Sequence, residues 1–230
     1  HYPMVLRALD AGLHVICEKP FTVTADEALE LTHRAQQAGR KVCIAHTYTG
    51  YPMVRQMRAT IAGGEVGAVQ KIDVQYYQGW INPALHDAAI RQSIWRLDPV
   101  RSGPSCCYGD IGVHAFNLAE YVTGLRIARV LADLDHFRAD NALDVDGTTL
   151  FRTACGVRGV LRASQIATGE ENSVRIAVYG SRGALKWSHQ APALLTHLRE
   201  GAPQQLFTPG HPFNAELART GSQLPPGHPQ

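Results

Sequence analysis

The tripeptide Glu18-Lys19-Pro20 could do chemistry because of what precedes it. It directly follows a short apolar run, residues 14–17, which predicts a buried strand. In open α/β sheets, ligands bind beyond the carboxyl ends of the strands, so a lysine there would point its ammonium group into a cleft. The alternative is that Glu18 and Lys19 form an ordinary solvated turn, and the tripeptide alone leaves both interpretations open.

Asp110 and His114 are four residues apart, so a helix would place them on one face. A carboxylate beside an imidazole, which titrates near neutrality, could share a proton, bind a metal or move a substrate proton. The alternative is that Asp110 caps the helix and His114 is partly buried beside it. A metal site would need further ligands, and no other cluster of His, Asp or Glu stands out by its spacing.

Trp95 and Arg96 form a third candidate, with Trp80 upstream. The indole of Trp95 could stack on a flat ring, and the guanidinium of Arg96 could bind a phosphate or a carboxylate. The alternative is an ordinary aromatic side chain packed on a loop.

The elements that would position these residues change character along the chain. Helix, strand, helix and strand patterns follow one another at residues 3–12, 14–17, 24–39 and 42–45. Thr24 and Glu27 have the spacing of a capping box that begins the second helix. The inner face of that helix is predicted to hold Ala28, Leu31, Ala35 and Ala38. This order predicts a doubly wound parallel sheet whose strands, with Cys17 and Cys43, are buried on both faces.

The rest of the chain has longer strand patterns with alternating polarity, which predict an antiparallel sheet with one wet face. The predicted strands lie at residues 69–77, 128–137, 147–155, 157–167, 174–179 and 184–187, the last two joined by a hairpin turn at 180–183. Helices are predicted at 52–63 and 113–123. We therefore expect two domains, residues 1–47 and 48–230, with a poorly ordered Pro/Gly/Gln-rich tail at 221–230.

Composition limits the partners. The chain has 230 residues, 45% of them hydrophobic and 18% charged, with a formal net charge of +2. The sequence contains no run of Lys or Arg that would predict binding to nucleic acid. It also contains no apolar stretch of about 18 residues that would predict a membrane span. Five cysteines without metal-site spacing favour a reducing cytoplasm over a disulfide scaffold. The chain begins at His1 without an initiator methionine, so we expect it to start within a longer protein.

Four motifs together are similar to one family over nearly the whole chain. They are AGLHVICEKP, WRLD, DIGVH and YGSRGALKW, at residues 11–20, 95–98, 110–114 and 179–187. Their order and spacing resemble the glucose–fructose oxidoreductase/inositol dehydrogenase (Gfo/Idh/MocA) family. The resemblance implies an α/β fold, with the C-terminal part of a Rossmann domain followed by an α+β domain with an open, largely antiparallel sheet. Segments 48–52 and 224–229 resemble members that act on levoglucosan or inositols.

The resemblance also implies a function. The implied function is that of an NAD(P)-dependent dehydrogenase, which transfers hydride between NAD or NADP and a hydroxyl carbon of a sugar, anhydrosugar or inositol-like polyol. The implied partners are that substrate and further copies of the chain, as a dimer or tetramer formed through the C-terminal sheet.

By the same resemblance, the catalytic residues are Lys19, Asp110 and His114, with no metal. His114 would transfer the proton, Lys19 would hydrogen-bond the reacting oxygen, and Asp110 would orient the substrate and tune His114. The implied cofactor-binding residues are Glu18, Lys19, Pro20, Thr47, Trp95 and Arg96. The Lys19–Pro20 bond would be cis.

Three departures from the family pattern matter. The glycine-rich phosphate loop of a Rossmann domain is absent, and the chain stops at Gln230, so we expect truncation at both ends. Cys106 and Cys107 stand in a loop that is often glycine-rich in relatives, which puts the shape of that loop in doubt. Thr47 stands where relatives often carry Asn.

Two other classes of function stay open at this stage. Without its phosphate loop, the chain could be a non-catalytic interaction module that only self-associates. Alternatively, it could be a metal-dependent hydrolase or lyase built on Asp110 and His114.

Overall fold

The first part of the molecule is a short parallel α/β unit. The computed structural model describes residues 1–220 and Pro226, so the predictions for the other tail residues lie outside it. The unit comprises α1 (Tyr2–Asp10), β1 (Val15–Cys17), α2 (Ala25–Gln37) and β2 (Val42–Ile44). Strands β1 and β2 pair in parallel, which confirms the predicted order of elements.

The start of α2 follows the predicted capping box. The Thr24 hydroxyl accepts a hydrogen bond from the Glu27 backbone N–H at 3.3 Å, and the Glu27 carboxylate accepts one from the Thr24 N–H. Leu31 and Ala35 of this helix are buried, as expected, but Ala38 is exposed. Ala38 is the C-cap residue beyond the last turn, so the helical periodicity no longer directs it inward.

The pair β1–β2 is covered on one face only. Val15 and Cys17 pack into an apolar cluster with α1 and α2. Ile16 is 84% exposed, and its partner in the strand register, Cys43, is exposed as well. The prediction that both strands are buried on both faces is therefore wrong for the described residues, because α1 and α2 pack on the same side.

The second part alternates short helical segments with a large sheet. Its helices are α3 (Pro52–Ala62), α4 (Asn82–His86), α5 (Ala88–Ser93), α6 (Pro99–Ser102), α7 (Val113–Thr123) and α8 (Glu216–Arg219). Its strands are β3 (Val69–Tyr77), β4 (Ile127–Asp135), β5 (Asp146–Thr153), β6 (Arg158–Ser164), β7 (Ser173–Gly180), β8 (Ala184–Ser188), β9 (Leu195–Leu198) and β10 (Gln205–Phe207). Strands β3 to β8 were predicted. The sequence missed α4, α5, α6, α8, β9 and β10, which are too short to show a period.

The eight strands run in the order β10-β9-β8-β7-β3-β6-β5-β4. Every neighbouring pair is antiparallel except β3 and β6, which are parallel. Helices α3 and α7 pack against one face and bury the main core there, while the other face is open. This confirms the predicted fold class, and the parallel pair brings two strand ends to the same edge of the sheet.

No helix among residues 1–220 is long and apolar enough to cross a membrane. All five cysteines lie in this part of the chain, and each is a free thiol.

Candidate active site

Lys19 reaches from the first part of the molecule into the second. It follows β1, and its Nζ donates hydrogen bonds to the side-chain Oδ1 and the backbone oxygen of Asp110, both at 2.7 Å. The two side chains are 17% and 16% exposed, so Lys19 does not belong to a solvated turn. Glu18 beside it is exposed. The Lys19–Pro20 peptide bond is cis, as the resemblance implied.

Three side chains contact the Asp110 carboxylate. Besides Lys19, the Gln165 Nε2 donates to its Oδ2 at 2.9 Å, and the Arg96 Nε lies 3.3 Å from the same oxygen. The carboxylate therefore acts only as an acceptor and is held between two cations.

The backbone around Asp110 is a π-helical turn, Tyr108–Gly112. Asp144, which is buried, accepts hydrogen bonds from the backbone N–H groups of Cys106 at 3.0 Å and Tyr108 at 2.7 Å, and so fixes this turn. Neither cysteine has to adopt a conformation that favours glycine, because Gly103 is the only residue of 103–108 with a positive φ.

Asp110 and His114 make no hydrogen bond to each other, and Asp110 does not cap α7. The capping role of Asp110 is therefore wrong, whereas the burial of His114 that went with it is confirmed. His114 lies in the first turn of α7 and is 7% exposed. Its pKa is lowered to about 4, first by burial and then by the positive charge of Lys19, against a smaller opposite effect of Asp110. The expectation that this imidazole titrates near neutrality is wrong, because burial dominates.

Three aromatic rings surround His114. The ring centroids of Tyr48, His46 and Tyr76 lie 5.1, 5.8 and 6.1 Å from its own. Burial and Lys19 also lower the pKa of His46. His46 follows β2 as Lys19 follows β1, so the strand-end rule that singled out Lys19 could have found it. Thr47 is exposed at the start of a 3-10 turn.

A chain of hydrogen bonds forms a polar wall beside these rings. Tyr48 donates to the Tyr76 hydroxyl at 2.7 Å, and Tyr76 donates to Asn172 Oδ1 at 2.9 Å. Gln78 Nε2 donates to the same oxygen at 2.6 Å, and the Trp80 indole N–H donates to Gln78 Oε1 at 2.9 Å. Sequence reasoning missed this wall, because its members come from separate strand ends that only the topology brings together.

A cavity of about 480 Å³ lies between the two parts of the molecule. Its lining includes five of the six predicted cofactor-binding residues, Glu18, Lys19, Pro20, Trp95 and Arg96, together with Asp110. Thr47 does not line it.

The chemistry of this lining suits one end of a dinucleotide. Trp95 is 43% exposed, and the Arg96 guanidinium lies over its ring with 4.5 Å between Cζ and the ring centroid. A flat indole beside a guanidinium and an ammonium group fits the nicotinamide end of a dinucleotide, where a flat ring adjoins polar and anionic groups.

The metal-dependent alternative lacks a ligand set in the described part of the chain. No group of three or more His, Cys, Asp or Glu side chains that could hold a metal ion comes together there. Asp110, the carboxylate on which that alternative depended, is bonded to Lys19 and Arg96 instead.

Comparison with known families follows this division of the molecule. A family described as "Oxidoreductase family, NAD-binding Rossmann fold" matches residues 1–46, and the "GFO/IDH/MocA C-terminal domain" matches residues 54–186. The fold and these matches place the chain in an oxidoreductase family with an NAD-binding Rossmann fold. Since the second match covers more than half of the sequence, the chain belongs to the GFO/IDH/MocA family, which confirms the resemblance.

Individual relatives agree. An uncharacterised oxidoreductase of Bacillus subtilis is 30% identical over 97% of this chain and 58% of its own length. An inositol dehydrogenase homologue of Azotobacter vinelandii, solved with NAD+, is 32% identical with a TM-score of 0.91 over 100% of this chain and 59% of its own. Levoglucosan dehydrogenase of Pseudarthrobacter phenanthrenivorans is 24% identical over 83% of this chain and 53% of its own. The chain thus spans little more than half the length of these relatives.

Proposed function

We propose that the protein transfers a hydride between NAD or NADP and a hydroxyl carbon of a sugar, anhydrosugar or inositol-like polyol. The observation that carries this proposal is the Lys19 ammonium, which Asp110 holds at a cavity between the two parts of the molecule, near a neutral histidine. The Azotobacter homologue, also solved with NADH and myo-inositol, supports a polyol substrate. We place the boundary between the cofactor and substrate domains at residues 47 and 48.

The residues that would hold the nicotinamide end are Glu18, Lys19, Pro20, Trp95 and Arg96 around the cavity, together with Thr47, which does not line it. When bound, the cofactor supplies the carbon that accepts or donates hydride. The chain's own residues handle the proton that must leave the hydroxyl group.

His114 is proposed to accept that proton. Its lowered pKa keeps the imidazole neutral at physiological pH, so it can accept a proton. The Lys19 ammonium has three N–H groups, of which two are bonded to Asp110. The third N–H group can donate to the reacting oxygen, and Asp110 positions the ammonium for this.

Replacing Lys19 or His114 by Ala should lower kcat about 100-fold or more, the usual contribution of a positioned acid or base. Lys41→Ala and His33→Ala are matched controls, since both residues are exposed and lie outside the site. Turnover would be followed as NAD(P)H absorbance over a panel of sugars and polyols, in the intact protein. Wild-type rates in the two site variants would refute the assignment. A protein whose addition leaves NADH and NADPH fluorescence unchanged would instead fit the interaction module.

We also propose that copies of the chain associate through the open face of the sheet, as a dimer or tetramer. At one end of this face, four cations lie directly opposite one another on adjacent strands: Arg129, Arg152, Arg158 and Lys71. None of them forms an ion pair within the described residues, although like charges in this arrangement destabilise a sheet. The unpaired row therefore favours an acidic partner.

The same face offers that acidic partner on a second copy. Asp133, Asp135 and Asp146 lie at the other end of β4 and β5, with Leu131, Leu150 and Val160 between the two ends. Two copies packed face to face with their strands antiparallel would set the cationic row of one over the acidic corner of the other.

A reducing compartment is proposed for the protein on the strength of its free thiols.

A further inference from the structure

Two glutamines end the parallel strand pair of the large sheet. Gln78 directly follows β3, and Gln165 directly follows β6. Because parallel strands end at the same edge, the two side chains meet there, with Gln165 Nε2 3.4 Å from Gln78 Oε1. Neither glutamine has a role in the proposed proton transfer.

Every hydrogen-bonding group of the Gln165 amide is engaged. The side chain is fully buried, with 0% exposure. Its Nε2 donates to Asp110 Oδ2 at 2.9 Å and to Gln78, and its Oε1 accepts a bond from the Cys106 thiol at 3.3 Å. Exchanging the amide oxygen and nitrogen would set an oxygen against the Asp110 carboxylate, so the network permits one orientation only.

The Cys106 thiol keeps this orientation at every physiological pH. Burial, followed by the charge of Asp144, raises the pKa of Cys106 to about 12, so the S–H group stays a donor. The amide in turn binds Asp110 without adding a charge, whereas Arg96, on the same carboxylate oxygen, adds one.

We propose that Gln165 is a positioning residue that fixes the angle of the Asp110 carboxylate and, through it, the place of the Lys19 ammonium. Gln165 holds Oδ2, which leaves Oδ1 for Lys19. Without the amide, the carboxylate is free to turn toward Arg96, and Lys19 keeps only the backbone oxygen of Asp110 as a fixed acceptor. The effect on catalysis rests on the proposed dehydrogenase function, but the effect on Lys19 does not.

The catalytic test compares two variants of Gln165. Gln165→Leu removes the donor and should lower kcat about 10- to 100-fold, the usual effect of losing a hydrogen bond to a charged group, with little change in KM. Gln165→Glu should be equally impaired at pH 8, but it should recover activity as the pH falls, because a protonated carboxyl group can again donate to Asp110. A purely structural role would not produce this pH-dependent recovery.

The matched control is Gln56→Leu. Gln56 is also buried and bonded on both sides, to Thr60 and to the Ala215 N–H, but it lies in α3 away from Asp110. It should keep wild-type kcat. A Gln165→Leu variant within twofold of wild type, or an equal loss in Gln56→Leu, would overturn the proposal.

A second measurement needs no turnover. Acetylation of Lys19 by acetic anhydride, quantified by mass spectrometry against the exposed Lys41, reports how firmly the ammonium is held. Gln165→Leu should speed acetylation of Lys19 several-fold and leave acetylation of Lys41 unchanged. Unchanged acetylation of Lys19 would refute the positioning role. If Gln165→Leu speeds acetylation of Lys19 but the wild-type protein oxidises no alcohol, the positioning role is supported and the dehydrogenase proposal fails.

Discussion

At the scale of single residues, Asp110 is paired with Lys19, which stands 91 positions earlier in the chain, while His114 lies buried nearby. His114 owes its neutral state to burial, with its Nδ1 buried and without a hydrogen-bond partner among the described residues. A buried, unpartnered imidazole of this kind makes the stability of the fold depend on pH.

The free energy of unfolding should fall as the pH drops from about 6.5 toward 4. In that window the unfolded chain protonates this histidine, whereas the folded protein, with the pKa of His114 at about 4, does not. Between pH 8 and pH 5 we expect His114 to account for a loss of about 2 kcal/mol, which His114→Gln should abolish.

Urea denaturation at the two pH values, on wild type, His114→Gln and the exposed control His33→Gln, measures this difference. His46 and His197, whose pKa values burial also lowers, keep their contributions in all three proteins. An equal pH dependence in wild type and His114→Gln would contradict the expectation.

The sequence was informative about residues that follow a recognisable strand or match a family motif. Lys19, Trp95 and Arg96 line one cavity together with Asp110. Gln165 and Asn172 carry no motif, and their place in the site follows from which strands are neighbours. Strand order depends on contacts between distant segments, which no local pattern records.

At the scale of elements, local sequence patterns predicted the long helices and strands but missed the short ones. The predicted capping box of α2 is confirmed, since both of its reciprocal hydrogen bonds form. The π-helical turn that carries Asp110 is held by Asp144, a residue from another part of the chain, so no local pattern could predict it.

Thr24→Ala should lower the free energy of unfolding by about 1 kcal/mol, because the first turn of α2 loses its side-chain acceptor. Thr32→Ala is the matched control on the same helix. The Thr32 hydroxyl bonds to the Ala28 carbonyl within the helix, where Ala is the better helix former, so this change should be neutral or slightly stabilising. Hydrogen exchange of the α2 amides gives the comparison, and equal effects of the two substitutions would argue against the cap.

At the scale of the whole molecule, the two parts meet closely around the site. Gly103 has a φ of +84°, and a Cβ on it would lie 2.8 Å from Val23 of the first part. The Lys19–Asp110 ion pair joins the same two parts, so the proposed catalytic groups also hold the parts together. On the far side of the sheet, the separated charges of the open face would govern the association that we propose.

Arg152→Glu should weaken self-association about tenfold or more, because it places a negative charge in the row that faces the acidic corner of the other copy. Adding Asp133→Arg should restore part of the affinity, and Lys41→Glu, away from the sheet, should have no effect. Sedimentation velocity at low and high salt would measure this. A monomeric wild type, or an Arg152→Glu protein that associates normally, would rule out the proposed interface.

The parallel pair β3–β6 has a consequence for how the protein reaches its native state. Residues 78–157 lie between the two strands, so they meet only after a long loop has closed, which makes such pairings slow. Gln78 and Gln165 stand at the ends of these strands and come together only when the pair has formed. During refolding, helical circular dichroism should therefore recover before the Lys19–Asp110–Gln165 arrangement exists, and the competent site appears with the last strands to join.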